Sequence, residues 1–253
     1  MREPDPRRPA PADVGVALAL LTRLPITLEP AQFDRSAMAV WAYPVAGLVL
    51  AALAGAFGMI GLWLGLPAAM VAGLSLLCLI VLTGGMHEDG LADSADGLWG
   101  GWDHARRLEI MKDSHIGSYG VIALILSLGA RWGALALLWQ EGAAITAMIA
   151  AAAMSRGAMP ALMAALPHAR NDGLSRSVGR PEARMVALAA AIAVAIALFS
   201  LGFGGMIAAF LATAVFAFAV GAIASRKIAG QTGDILGASQ QTCEIAVLWV
   251  LCI

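Results

Sequence analysis

Four carboxylates fall within nine residues of the segment GGMHEDGLADSADG (84–97): Glu88, Asp89, Asp93 and Asp96. Asp89, Asp93 and Asp96 stand at i, i+4 and i+7, a spacing that shares one face of a helix. Three like charges on one stripe repel, and low dielectric sharpens the repulsion. Relief comes from proton uptake or from a bound cation. Hard carboxylate oxygens favour Mg²⁺, Mn²⁺ or Ca²⁺ over zinc, and the helical spacing differs from the alternating ligands of a calcium-binding EF-hand loop. Mg²⁺ takes few carboxylates, keeps several waters and shares substrate phosphates. These residues therefore point to a magnesium site holding a phosphorylated substrate, with Glu88 beside the three aspartates in the ligand set. The competing reading is a solvated acidic helix cap.

A basic complement follows in WDHARRLEIMKDSHIGSYG (102–120). Arg106 and Arg107 suit phosphate oxygens through their forked guanidinium donors, or they are the ordinary basic flank of a membrane helix. Lys112, Asp113 and Ser114 sit in a dense polar run whose composition favours a substrate-binding role. Arg156 lies inside an apolar stretch, AAAMSRGAMP, where a charge implies a polar cavity or an ion-pair partner; Arg131 is similar. The loop 167–184 adds Arg170, Arg176, Arg180 and Arg184, suited to a second anionic group or to lipid headgroups. In GQTGDILGASQQTCE (230–244), Gln231 and Asp234 occupy a glycine-rich turn. Asp234 there could ligate metal, orient a hydroxyl or cap the last helix.

The elements that must position these groups are membrane helices. The chain of 253 residues is 60% hydrophobic and only 13% charged, far from the roughly 45–50% apolar and 25% charged make-up of soluble domains. Several apolar runs reach the ~20 residues that cross a hydrocarbon core. They are continuous and rich in Ala, Leu and Gly, which argues for helices and against a β-barrel. The expected fold is all-α: a polytopic transmembrane helical bundle of about six to seven spans forming a single integral membrane domain. Spans are expected at 38–63, 68–86, 119–140, 144–166, 185–202 and 205–224. A short amphipathic or re-entrant segment is expected at 13–24, and the tail 241–253 could begin a seventh helix.

Connections alternate between short, nearly uncharged turns and long polar segments: the N-terminal tail 1–12, 84–118, 167–184 and 225–240. The Lys and Arg residues outside the spans fall in the long set or, as Arg23 and Arg35, in the stretch between the tail and the first span, which places that side in the cytoplasm by the positive-inside rule. The tail, MREPDPRRPAPAD, is Pro-rich and charged without an adjacent apolar h-region and cleavage site, and reads as flexible and cytosolic rather than as a signal peptide. Cys78, Cys243 and Cys252 have no ligand-like spacing, so neither a disulfide framework nor a zinc site is expected.

With these motifs in hand, the chain resembles the cobalamin synthase family, the adenosylcobinamide-GDP ribazoletransferases. GGMHEDGLADSADG is similar to that family's G-G-L-H-x-D-G-L-A-D-[TS]-A-D-G block. LEIMKDSHIGSYG and GQTGDILGASQQ resemble two further blocks, and LTRLPI (21–26) and WAYPVAGLVL (41–50) also look familial. Met86 stands where Leu is usual, Glu88 where the family varies, and His115 where Arg is commoner. The resemblance implies a multi-pass enzyme of the cell inner membrane, its active face cytoplasmic, that uses Mg²⁺. It implies joining adenosylcobinamide-GDP to α-ribazole or α-ribazole 5′-phosphate with release of GMP.

On that reading Asp89, Asp93 and Asp96 hold Mg²⁺ on the pyrophosphate, and one of these carboxylates or His87 accepts the proton of the attacking hydroxyl. Arg106, Arg107 and Lys112 stabilise the phosphates, and Asp234 closes the site. The bilayer is a partner and nucleic acid is not. Glycine-rich faces permit a homo-oligomer, and other cobalamin-pathway enzymes are candidate partners. Two rival classes share some features. A CDP-alcohol phosphatidyltransferase carries an Ala-Arg after its first Asp-Gly, where this chain has Leu91-Ala92. A divalent-cation transporter or channel would place its charges at mid-membrane and show inverted repeats.

Overall fold

Residues 8–253 are described in a computed structural model, so most of the expected tail, residues 1–7, lies outside the described residues. The helices are α1 (Ala12–Leu21), α2 (Ser36–Ala39), α3 (Tyr43–Trp63), α4 (Ala68–Thr83), α5 (Met86–Gly100), α6 (His104–Ile110), α7 (Ser118–Gln140), α8 (Ala144–Ala165), α9 (Leu174–Val178), α10 (Ala183–Ile228) and α11 (Gly233–Val250). Among the described residues there is no strand, only a single bridge between His168 and Gln231. Four stretches are long and apolar enough to cross a membrane: Pro30–Trp63, α7, α8 and α10. The pair α4–α5 makes a fifth only if counted together across its 86° bend. The protein is a polytopic helical membrane protein.

α8 is the axis of the bundle. Its run from Ala150 to Pro160 is buried on every side, as expected of a stretch that is apolar or small all round apart from Arg156. It packs against α3, α10 and α11. α10 resolves the two expected spans at 185–202 and 205–224. Ala193 lies against Gly157 of α8, and Gly221 against Leu162 of the same helix. In one straight helix residues 193 and 221 would be about 42 Å apart, whereas 157 and 162 are separated by about 7.5 Å. The chain must therefore reverse between them, and it does so at Gly202, which takes φ +72°, a conformation that costs glycine little.

Two expected loops turn out to be largely helical. The stretch 84–118 folds as α5 and α6 with short turns. At the head of α5 the chain bends sharply through Gly84 and Gly85, both left-handed at φ +67° and +69°. With four carboxylates in fifteen residues α5 does not cross a bilayer on its own, and none of the four stretches long enough to span includes it. The stretch 225–240 and the tail beyond it likewise form the end of α10, a turn, and the single helix α11. α11 buries Ser239, Gln240, Gln241 and Glu244 in the bundle. These polar residues interrupt the apolar run by which a span is recognised. α1 is a ten-residue apolar helix, too short to cross. It is tied down by Asp13, which accepts from Arg35 Nε at 2.7 Å and Trp41 Nε1 at 2.9 Å.

Candidate active site

At the loop-rich end of the bundle a cleft of about 740 Å³ opens between the first turns of α5, Arg23 and the segment 111–116. Asp89 and Asp93, one turn apart on α5, line it; Asp89 is exposed and Asp93 half-buried. Neither has a hydrogen-bond or ion-pair partner among the described residues. Asp234 reaches the same region from the first turn of α11. The two helices meet closely because Gly90 has no side chain: a Cβ there would sit 3.0 Å from the Asp234 carbonyl oxygen. Thr232, not Asp234, caps α11, its Oγ1 accepting from Ile235 N at 3.3 Å. Asp234 is left to accept from Thr232 Oγ1 at 3.1 Å and to pair with Arg170 Nη1 at 3.2 Å.

The electrostatics follow from this crowding. Burial pushes the Asp93 carboxyl up to about 7, and the charges of Asp89, Asp234 and Asp96 add to it, with Arg170 opposing. Asp234 is also raised, chiefly by burial. The facing wall carries Lys112, Asp113, Ser114 and His115. Lys112 forms an ion pair with Asp172, and Asp172 lies 3.5 Å from Arg170 Nε. Asp113 Oδ1 is 2.7 Å from His115 Nδ1, and that hydrogen bond holds its carboxyl below the usual range.

The structure gives several candidate residues other work. Asp96 accepts from Gly117 N at 2.7 Å and Gly120 N at 2.9 Å, closing the start of α7. A Cβ on either glycine would lie 2.4 Å from an Asp96 oxygen, so the glycine spacing of HIGSYG is the mould for this carboxylate. Both Asp96 oxygens therefore already accept a backbone N–H, whereas the Asp89 and Asp93 carboxylates accept none among the described residues. Glu88 lies at the edge of the cleft, but its Oε1 accepts from Arg131 Nη1 at 2.9 Å and Gln241 Nε2 at 3.2 Å. His87 is buried on the opposite side of α5 against Tyr43, Met159 and Leu236, too far round the helix to take a proton in the cleft.

Arg106 pairs with Glu109 at 2.8 Å on the exposed face of α6. Arg107 donates to the carbonyls of Gly101, Trp102 and Lys227 at 3.0, 3.2 and 2.9 Å, fastening α6 to its neighbours. Neither lines the cleft. Arg156 is buried 3.6 Å from Glu244 and donates to Ala152 O at 3.3 Å. Gln231 accepts from Ser175 Oγ at 2.6 Å, and its Nε2 lies 3.0 Å from His168 Nδ1. It joins the segments 167–169 and 230–232 rather than facing the cleft.

Some residues that matter were not singled out from the sequence. Arg23 lines the cleft with no carboxylate partner among the described residues, its side chain lying over Gly84; the familial look of LTRLPI was the signal for it. Asp172 bridges Lys112 and Arg170. Glu244 is the counter-charge of both intramembrane arginines, 3.4 Å from Arg131 Nη1. The rule that charges within a membrane pair with one another would have found it.

The donor set fits a hard divalent cation. No three His, Cys, Asp or Glu side chains among the described residues lie close enough to enclose an ion by themselves. Asp89 and Asp93 are nevertheless uncommitted, and the carboxylates around Asp93 raise the cost of its ionisation. An Mg²⁺ ion held by few carboxylates plus water and phosphate oxygens matches such an open arrangement.

Fold and site together define a polytopic membrane protein with an acidic cleft of about 740 Å³ at one end of its bundle. Residues 13–252 match the family model described as cobalamin-5-phosphate synthase. The chain belongs to that family, and is a transferase. A relative from Bradyrhizobium diazoefficiens, named adenosylcobinamide-GDP ribazoletransferase, is 46% identical over 241 residues, covering 94% of this chain and 92% of that protein. Relatives of the same name from Mesorhizobium japonicum and Azorhizobium caulinodans are each 43% identical, over 94% of this chain and 92% and 94% of theirs. No solved structure matches the chain.

Proposed function

We propose that this protein joins adenosylcobinamide-GDP to α-ribazole or α-ribazole 5′-phosphate, releasing GMP, at the cytoplasmic face of the inner membrane. The observation that carries the reading is the pair of uncommitted carboxylates, Asp89 and Asp93, in the cleft of a chain from this family. Asp89 and Asp93, with Asp234, would hold Mg²⁺. Bound there, the ion would neutralise charge on the pyrophosphate and on the departing GMP.

The acceptor ribose hydroxyl attacks the phosphorus that carries cobinamide; a new P–O bond forms and the phosphoanhydride bond to GMP breaks. The hydroxyl proton passes to a carboxylate of the cleft, since His87 faces away from it. Arg23 and Lys112 stand where they can meet phosphate oxygens. Arg170 holds Asp234 in place. Purified protein given adenosylcobinamide-GDP and α-ribazole should release GMP with Mg²⁺ and not after chelation. Equal GMP release in both conditions would remove the metal from the reading, and no release in either would remove the reaction.

A further inference from the structure

Most charged loop residues at this end of the molecule are already spoken for. Arg106 pairs with Glu109, Lys112 with Asp172, Arg170 with Asp234 and Arg184 with Glu182. Arg176 and Arg180 differ. Neither forms an ion pair with a carboxylate among the described residues, yet both line one cleft of about 600 Å³ with Leu166, Pro167, His168 and Gly179. No acidic residue among the described residues lines it. Ordinary basic flanking of membrane helices puts cations near a membrane end, but does not by itself gather two unpaired guanidinium groups and an imidazole around one concavity.

We propose that Arg176, Arg180 and His168 form a binding site for a phosphate monoester, separate from the acidic cleft. Arg180 is anchored: its Nε and Nη2 both donate to Ala164 O near the C-terminal end of α8, at 2.9 Å for Nε. The exposed Arg176 keeps its whole fork of donors available, a geometry suited to two phosphate oxygens at once. His168 is steadied through Nδ1 by Gln231 Nε2, which leaves Nε2 for a ligand. Burial, together with Arg176 and Arg180, holds the His168 imidazole below its ordinary value; a dianion beside it would reverse that.

The site is coupled to the acidic cleft by backbone. Gln231 N donates to Pro167 O at 2.8 Å, and Ala169 N donates to Gln231 O at 2.9 Å. Two residues beyond His168, Arg170 meets Asp234. A phosphate bound here is thus one short segment away from the reacting groups. Its source is either the headgroup of an anionic lipid or the 5′-phosphate of a soluble nucleotide acceptor, the latter resting on the transfer reading above.

The test uses full-length protein in phosphatidylcholine nanodiscs, titrated calorimetrically with inorganic phosphate. Saturable binding is expected, weakened at least tenfold by Arg176→Glu and less by Arg176→Lys, which keeps the charge but loses the fork. Absence of saturable binding, or an unchanged affinity in Arg176→Glu, overturns the site. Adding phosphatidic acid to the nanodiscs separates the sources: lost phosphate affinity assigns the site to a lipid headgroup, and unchanged affinity to a soluble phosphomonoester. In the second case, competition by α-ribazole 5′-phosphate but not by α-ribazole identifies the acceptor. None of these readouts involves turnover, so they stand apart from the success or failure of the transfer assay.

Discussion

Glu88 and Asp89 are neighbours in the chain and carry the same charge, yet they belong to opposite regimes. Glu88 enters a buried network in which Arg131 lies 2.9 Å from Glu88 and 3.4 Å from Glu244, Arg156 lies 3.6 Å from Glu244, and Gln240 donates to Glu244 at 2.6 Å. Two cations balance two anions there. Asp89 faces an open cleft with no partner among the described residues. The difference is one of dielectric: between the helices an unpaired charge is prohibitively costly, so each one is matched. At the mouth of the cleft water screens it, and a carboxylate can stay available for a ligand. A rotation of about 100° per residue along α5 separates the two roles.

The comparison breaks most visibly if the buried half is damaged. Arg131→Met removes one cation and leaves Glu88 and Glu244 sharing a site with only Arg156. Breaking a buried pair in this way costs about 3–5 kcal/mol. A large fall in thermal unfolding temperature in detergent is expected, and a melt unchanged from the parent would show that the network is not holding charge in low dielectric. The open half should respond in the opposite sense. Asp89→Asn or Asp93→Asn should leave the fold intact while GMP release falls by about 10²-fold or more, comparable to the loss of one electrostatic stabiliser of a transition state. Turnover within a few-fold of the parent would remove these carboxylates from the site.

Much of this contrast was legible in the chain. The i, i+4 step from Asp89 to Asp93 announces a shared helix face, and the apolar runs announce the bundle. What was not legible depends on distant partners. Asp96 continues the same stripe, but its partners are two amides at Gly117 and Gly120 that sit in another motif and look like features of a loop. Arg107 resembles a phosphate ligand until its three carbonyl partners are known. α11 was legible only as a short helix beginning near 241, because the inward face of its first half is polar: Gln240, Gln241 and Glu244 answer charges on α5, α7 and α8, and no local pattern records that. Asp234 could be placed near the cleft from its turn, whereas the close approach allowed by Gly90 belongs to tertiary structure.

Asp96 offers an intermediate test between the two regimes. It is buried like Glu88 but neutralised by backbone amides rather than by a cation. Asp96→Ala would leave the Gly117 and Gly120 amides without their acceptor at the start of α7, a cost of about 2 kcal/mol by analogy with helix caps. Asp96→Asn keeps one acceptor oxygen and should recover part of that loss. If Asp96 instead acted chiefly as a metal ligand, Asp96→Ala would abolish GMP release with no change in melting. Matching stability losses in the Asn and Ala variants would likewise contradict the two-amide geometry.

The smallest expected effect is also the one that reads the cleft's electrostatics directly. The Asp93 carboxyl is raised from an ordinary value of 3.8 to about 7, by burial first and then by Asp89 and Asp234. A carboxyl raised on folding binds protons more tightly in the native state, so its ionisation opposes folding. The cost is absent below about pH 4, grows as pH rises through the interval from 4 to 7, and is constant above. Asp93→Asn removes it. In chelator-containing buffer the variant should therefore melt above the parent at pH 8, by on the order of 1 kcal/mol once solvent screening is allowed for, and the two melts should converge as pH falls towards 4. A substitution that silences turnover yet stabilises the metal-free fold would show that the cleft holds its carboxylates together against their own repulsion. A pH-independent difference, or a variant less stable at pH 8, would mean that Asp93 is partnered in the free protein as Glu88 is.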